Sequence, residues 1–202
     1  YFQVNNTIAT LYNKAFVLEE YTTDDKYYLL PDGYKIEAEL VKPAVSRKRG
    51  KKSHEIAIIF PYYYESGILY HYTEDEFKEK FPQATGHLMR YKENLEKRDA
   101  DKNAKWFEYG RSQAITKMHR EKLVMPSIVS SRVNVTLENE EVIPCAGFFV
   151  TKNSEYTLSQ AKRLLESQGF YDYLEQSGIF TTGKSRRLTV KDIADFTFED
   201  WE

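Results

Sequence analysis

A short, nearly continuous apolar run, Glu-Ile-Ala-Ile-Ile-Phe-Pro at residues 55–61, constrains the fold most strongly. An apolar run of this length that ends at a turn residue is typical of a buried strand. Further strands are indicated where Val133, Val135 and Leu137 alternate with polar residues, and at residues 122–128, 142–144 and 147–151. Together these runs predict an antiparallel or mixed β-sheet.

Helical patterns lie between and after these strands. Thr73 followed by Glu76 forms a capping box, which predicts a helix to about residue 80. Leu88, Tyr91 and Leu95 recur at three- and four-residue steps, which predicts one helix over residues 84–98. The last third of the chain predicts two more helices. Leu158, Ala161, Leu164 and Leu165 form the apolar stripe of the first, and residues 170–176 form the second. The fold class predicted is therefore α+β, a sheet with flanking helices.

Turn residues divide the first third of the chain. Residues 7–20 alternate loosely and predict a strand, and Asp24-Asp25 predicts the turn of a hairpin. Pro31-Asp32-Gly33 predicts a second turn. With 202 residues the chain is long enough for one domain with its own core, or for two small lobes that share one. We expect residues 1–202 to be an excised part of a longer polypeptide.

Charge is balanced overall but segregated along the chain. There are 29 Lys and Arg against 31 Asp and Glu, a net charge of −2, whereas nucleic-acid-binding domains are usually more basic. However, residues 42–52 and 183–191 are basic and contain no acid. Such runs favour phosphate binding, although each run alone is more often a solvated loop. The candidate DNA contacts outside the 106–113 segment are Arg47, Lys48, Arg49, Arg132, Lys184, Ser185, Arg186 and Arg187.

The single cysteine, Cys145, excludes an internal disulfide and favours a reducing, cytoplasmic location. Its apolar neighbours predict a buried thiol. The four histidines lack zinc-ligand spacing, so we expect no metal site. No apolar run approaches the roughly 20 residues of a membrane helix, and no signal-peptide pattern is present.

The richest functional pattern is Trp-Phe-Glu-Tyr-Gly-Arg-Ser-Gln at residues 106–113. Arg111 can bond guanine and Gln113 adenine, Ser112 can bind phosphate, Tyr109 can stack on a base, and Gly110 permits a sharp turn. The alternative is that the aromatic side chains fill a core and that Arg111 is merely solvated. From composition alone this alternative is the more frequent outcome.

Within this pattern we expect Trp106 to be mainly structural, because one ring of the Trp106-Phe107 pair must face inward and the larger ring has more area to bury. If the segment is extended, Arg111 and Gln113 point the same way. If it is helical, they diverge by about 200°.

Residues 81–99, with Leu88 and Asn94, followed by the pattern at 106–113 and by Lys-Leu-Val-Met-Pro at 122–126, resemble the TaqI-type specificity domain of adenine-N6 DNA methyltransferases. The resemblance begins near Ile8 and ends near Ile193. It implies that the chain recognises double-stranded DNA in a restriction-modification enzyme. An upstream catalytic domain is then the partner, and S-adenosylmethionine is the cofactor of that domain.

The chain lacks the sequence features of the methylation reaction itself. It contains no glycine-rich loop between a strand and a helix, and no Asn-Pro-Pro or Asp-Pro-Pro. We therefore expect this fragment to be non-catalytic and to bind no cofactor.

Two other functional classes are possible on sequence grounds. Glu76-Phe77-Lys78, with Asp32 or Asp75, matches part of a nuclease motif, but such triplets occur by chance in any charged chain. A protein-binding or structural module is the stronger alternative, and the acidic pI of about 6.2 favours it.

Overall fold

The computed structural model describes residues 2–46, 56–177, 179–181 and 185–197. Strands are β1 Phe2–Asn6, β2 Val17–Leu18, β3 Thr22–Thr23, β4 Tyr27–Leu29, β5 Lys35–Glu37, β6 Val41–Ser46, β7 Ile56–Ile59, β8 Tyr62–Glu65, β9 Ile68–His71, β10 Lys122–Met125, β11 Ile128–Val129, β12 Thr136–Glu138, β13 Ile143–Ala146, β14 Phe148–Lys152, β15 Ile179–Phe180 and β16 Arg186–Arg187. Helices are α1 Asn13–Phe16, α2 Glu74–Lys80, α3 Pro82–Met89, α4 Lys92–Glu96, α5 Leu158–Leu165, α6 Gln168–Ser177 and α7 Val190–Ala194, with 3₁₀ turns at Ala38–Leu40 and Ile115–Lys117. No helix in these ranges is long and apolar enough to cross a membrane.

An antiparallel sheet in the order β1-β14-β10-β12 lies between two hydrophobic cores. Successive side chains of a strand point to opposite faces. Val124 and Phe149 accordingly belong to the first core, whereas their neighbours Leu123 and Val150 belong to the second. The register pairs Leu123 with Val150 and Val124 with Phe149. Paired residues of the two strands therefore face the same core.

The first core packs against a second, mixed sheet in the order β13-β6-β7-β2. The apolar run in residues 55–61 forms its strand β7, in which Ala57, Ile58 and Ile59 are buried. This confirms the strand prediction. Strand β13 pairs with β6 in parallel, and the other pairs are antiparallel. The sheet is therefore mixed, in an α+β fold.

The second core lies beneath α5, α6 and α7 and includes Val129 of β11, which belongs to the small sheet β11-β16-β15. Phe170 and Leu174 of α6 and Ile193 of α7 are buried in it. Capping boxes at Thr157 and Thr189 begin α5 and α7. The predicted helices of the last third are thus present, and α6 begins two residues earlier than predicted, at Gln168.

The predicted turns of the first third are present. Asp24 accepts hydrogen bonds from the backbone N–H groups of Lys26 and Tyr27 at 2.8 and 2.7 Å, and β3 pairs with β4. Gly33 has φ of +85°, the left-handed conformation that glycine adopts without strain. The capping box of Thr73 and Glu76 also forms and begins α2.

Two local predictions were wrong. Residues 7–20 are not one strand, because Ala15 and Phe16 are fully buried on the short helix α1 and only Val17–Leu18 pairs with β7. Residues 84–98 are two helices, α3 and α4. The chain turns where Arg90 bonds Asp32 at 2.6 Å, although Leu88 and Leu95 both remain buried.

Cys145 is only partly buried, which corrects the expectation of a fully buried thiol. The register between β13 and β6 shifts between Pro144 and Ala146, so the side chain between them departs from regular alternation. Cys145 is one of the residues that line a cavity of about 370 Å³.

Lys122 is a cationic side chain that is fully buried on β10. Its ammonium donates hydrogen bonds to the carbonyl oxygens of Arg120 at 3.0 Å and Asn139 at 2.5 Å. Burial disfavours the charged form and lowers the pKa of Lys122 from 10.5 to about 8.

This shift predicts that the protein becomes more stable as the pH rises from 8 to 10. In that window the unfolded chain binds more protons at Lys122 than the folded chain does, so the free energy of unfolding increases with pH. The free energy of unfolding can rise by at most about 3 kcal/mol in this way, because each unit of pKa shift corresponds to roughly 1.4 kcal/mol. Urea unfolding at each pH measures the rise, which Lys122→Met should abolish.

Lys152→Met, at an exposed position of β14, is the control and should retain the rise. A pH dependence that is equal in both variants would contradict the assignment to Lys122. Measurements should stop near pH 10. Above it, buried tyrosines such as Tyr72, with a pKa of about 12, keep protons that the tyrosines of the unfolded chain lose. The free energy of unfolding then decreases as the pH rises.

Candidate nucleic-acid interface

The side chain of Arg98 positions the segment at residues 99–113, which we call the signature loop. Its guanidinium donates to the carbonyl oxygens of Thr10 at 2.5 Å, and of Trp106 and Glu108 at 3.0 Å each. Burial lowers the pKa of Arg98, but an arginine remains charged. One cation therefore joins the middle of the loop, at Trp106 and Glu108, to Thr10 in the first segment of the chain.

Trp106 and Phe107 attach the signature loop to α2. Phe107 is fully buried and stacks on Phe77, with ring centroids 4.3 Å apart. Trp106 is 9% exposed and donates its indole N–H to Glu74 at 3.0 Å. Trp106 is thus largely buried, but Phe107 is buried more completely, so the expectation that the larger ring faces inward in place of the smaller one was wrong.

Glu108 is a buried carboxylate within the loop, with a side chain only 2% exposed. Its oxygens accept hydrogen bonds from the Lys105 backbone at 3.0 Å and from the Lys105 ammonium at 3.2 Å. The third partner is His71 Nδ1, at 2.9 Å. These contacts satisfy the carboxylate and fix the conformation of residues 105–108.

Tyr109 is a core residue, which corrects its proposed role as a base-stacking side chain. The ring is fully buried, its hydroxyl donates to the Ile59 carbonyl at 2.7 Å, and its backbone N–H donates to the Tyr62 hydroxyl at 2.9 Å. A base cannot reach this ring. Gly110 is also buried, and a Cβ there would lie 2.5 Å from the exposed Leu11 side chain, which would have to move to accommodate it.

Arg111, Ser112 and Gln113 lie at the surface end of the loop. Arg111 bridges to Ala9 through its backbone, so the segment is extended there, whereas Gln113 begins a turn. The Arg111 guanidinium, 40% exposed, donates to Asp99 at 2.9 Å and to Asp101 at 3.3 Å. Arg111 is therefore ion-paired rather than merely solvated.

The second group of predicted phosphate contacts divides between buried and exposed positions. Ser185 is fully buried, and Arg186 is 7% exposed with a contact of 3.5 Å to Glu175, so neither is available to bind phosphate. Arg187 and Arg132 are exposed. Strand β16 places Arg187 opposite Ile128 of β11, in the second core's part of the molecule. Four of the predicted contacts lie outside the described residues: Arg47, Lys48, Arg49 and Lys184.

Two features of the site were missed in the sequence. Arg98 is the last residue of a predicted helix, and the sequence pattern did not indicate that it bonds distant carbonyls. Lys117, in the 3₁₀ turn after the loop, donates to Asn5 of β1 at 3.3 Å and so connects the loop to the central sheet.

The residues of the possible nuclease motif have structural partners. Glu76 bonds Thr73 in the capping box, Lys78 bonds Glu74 at 2.8 Å, and Asp32 bonds Arg90. Among the described residues there is no group of three or more His, Cys, Asp or Glu side chains that could hold a metal ion.

Comparison with known proteins adds no relative. No protein-family model matches the chain, and no curated protein matches it. The resemblance to TaqI-type specificity domains consequently rests on the sequence motifs.

We predict that Arg98→Ala destabilises the protein by roughly 3 kcal/mol, because it leaves several carbonyl groups without donors. Hydrogen exchange in residues 99–113 should accelerate more than exchange in the second core. Arg163→Ala, which removes an exposed arginine on α5, is the control and should change neither quantity. A loss of stability without faster exchange in the loop would contradict a role in positioning it.

Proposed function

We propose that this chain is the DNA target-recognition module of an adenine-N6 DNA methyltransferase. The observation that carries the proposal is the signature loop, whose aromatic half is buried while Arg111, Ser112 and Gln113 remain at the surface. A loop must hold its polar side chains rigidly if they are to discriminate between the edges of different nucleobases. Loosely positioned side chains would bond any nucleobase. The motif order in the sequence supports the same assignment.

The ion pairs of Arg111 are compatible with exchange for DNA. The Asp99 side chain is 98% exposed, and exposed pairs contribute little, typically below about 1 kcal/mol. A guanine edge or a phosphate can therefore replace Asp99 with little loss. Asp101 differs, since it also accepts the Ser112 backbone N–H at 3.1 Å and belongs to the loop's own structure.

The experiment that tests the proposal is selection of bound duplexes from a random-sequence pool, followed by affinity measurements over a salt series. Enrichment of a defined site is expected. The affinity should fall steeply with salt, by about 0.9 in the log–log slope for each phosphate contact. Failure to enrich any sequence, together with weak salt dependence, would favour a protein-binding or structural module.

We predict that Arg111→Ala relaxes selectivity at one base position, at a cost of about 1–3 kcal/mol. The salt slope should change little if Arg111 contacts a base. Arg163→Ala provides the matched control at a site on the second core's helices. A uniform loss of affinity across all sequences would place Arg111 on phosphate instead.

We further predict that Asp99→Asn increases DNA affinity by roughly two- to fivefold at low salt, because it removes an anion beside Arg111. Fluorescence anisotropy with the selected duplex measures the change, which should diminish as salt increases. Equal affinity of the two proteins at low salt would show that Asp99 does not compete with DNA.

A further inference from the structure

The β8–β9 hairpin presents an aromatic face to solvent. Tyr62 is buried against the signature loop and Tyr64 donates to the Ile115 carbonyl at 2.7 Å, so alternation places Tyr63 on the opposite face. Tyr63 pairs with Tyr70, and their stacked rings are 5.3 Å apart. Tyr63, Tyr70 and Ile68 are 38%, 37% and 59% exposed.

This face forms a patch rather than isolated apolar positions. Ile68 pairs with Glu65 at the end of the hairpin, on the same face as the Tyr63–Tyr70 pair. The hairpin is a separate two-stranded sheet. Contiguous apolar side chains on an exposed ribbon are typical of an interaction surface.

A cavity of about 620 Å³ adjoins the aromatic face. Its walls are Tyr63, Tyr72, Glu76, Glu79 and Lys80, two rings and two carboxylates with one cation at the side. The Lys80 ammonium lies 5.6 Å from the centre of the Tyr72 ring. The molecule itself therefore already places a cation against this ring, the geometry of a cation–π interaction.

The acids give the cavity its selectivity. Within the described ranges Glu79 forms no ion pair, and Lys80 is 3.7 Å from Glu39, a further acid. Carboxylates beside tyrosine faces attract a guanidinium or ammonium group and repel phosphate. The hairpin's aromatic face is thus unsuited to the DNA backbone.

We propose that the aromatic face and the adjoining cavity are a docking surface for a protein partner that presents an arginine or lysine beside an apolar side chain. The cation enters the cavity between Tyr63, Tyr72 and Glu79, and the apolar neighbour packs on Tyr70 and Ile68. Arginine combined with aromatic packing is the usual chemistry of interface hot spots. This surface is separate from Arg111, so the inference does not rest on the DNA-binding proposal.

The test is a titration of the full, isotope-labelled chain with the peptide acetyl-Leu-Arg-Leu-amide, followed by NMR. Backbone signals at Tyr63, Tyr72 and Glu79 should shift, with an affinity that weakens as salt increases. The same peptide with citrulline in place of arginine keeps the shape and removes the charge, and it should bind about three- to tenfold more weakly.

Glu79→Gln should weaken binding of the arginine peptide by a similar factor. Tyr63→Ala should weaken binding of both peptides. Glu155→Gln, at an exposed position after β14, is the matched control and should bind like the original protein. Because Glu79 and Tyr63 are both exposed, their replacement leaves the core intact. Thermal melting verifies this.

Three results would overturn the inference: shifts confined to other residues, equal binding of the arginine and citrulline peptides, or shifts of the same residues by a DNA duplex. The DNA affinity of Glu79→Gln should equal that of the original chain. The docking surface can therefore fail while DNA binding remains, and DNA binding can fail while the peptide still binds.

Discussion

The two-sided burial of the central sheet is the constraint on which the rest of the structure depends. Val124 and Phe149 enter one core while Leu123 and Val150 enter the other. A slip of one residue would exchange the two sets and leave both cores with the wrong side chains. The tight approach at Gly147, where a Cβ would lie 2.1 Å from the Met125 carbonyl oxygen, further restricts the connection from β13 to β14. The parts of the molecule on either side of the sheet are consequently fixed through shared strands.

The signature loop lies largely outside regular secondary structure, so most of its backbone groups need other partners. A polar group buried without a hydrogen bond costs free energy, and this makes the side chains around the loop essential. Arg98 bonds the carbonyls of Trp106 and Glu108, Asp101 accepts the Ser112 N–H, and Tyr62 accepts the Tyr109 N–H. These interactions leave Arg111 and Gln113 at the end of a well-anchored segment.

Local patterns predicted much of the fold because their causes are local. The capping box at Thr73, the turn at Asp24 and the apolar run of β7 depend on neighbours in sequence. The local pattern did not indicate that residues 84–98 divide into two helices, and Arg90, at the division, bonds Asp32, 58 positions away. Tyr109 illustrates the same limit at the candidate site. Only the arrangement of Tyr62 and Ile59 around it shows that its ring is inside.

Basic runs in the sequence were the least reliable guide to a binding surface. Arg186 comes from such a run, yet the structure buries it on β16, where it contacts Glu175. Lys42 likewise bonds Glu141, 99 positions later in the chain. Counting cations therefore overstates the charge that can reach a phosphate.

The distribution of acids has a consequence for how a nearly neutral chain can bind an anion. Arg111 already has Asp99 and Asp101 as partners, so an incoming anion exchanges with a carboxylate and does not meet a free cation. Exchange lowers the affinity for any anion, and a ligand must recover that loss by forming additional hydrogen bonds. A guanine edge, which offers two acceptors to one guanidinium, and a phosphate, which offers two unbridged oxygens, can each form a pair of hydrogen bonds with Arg111. On the proposed function, the acids beside Arg111 thus disfavour contacts through a single hydrogen bond and leave bidentate contacts as those that can displace Asp99.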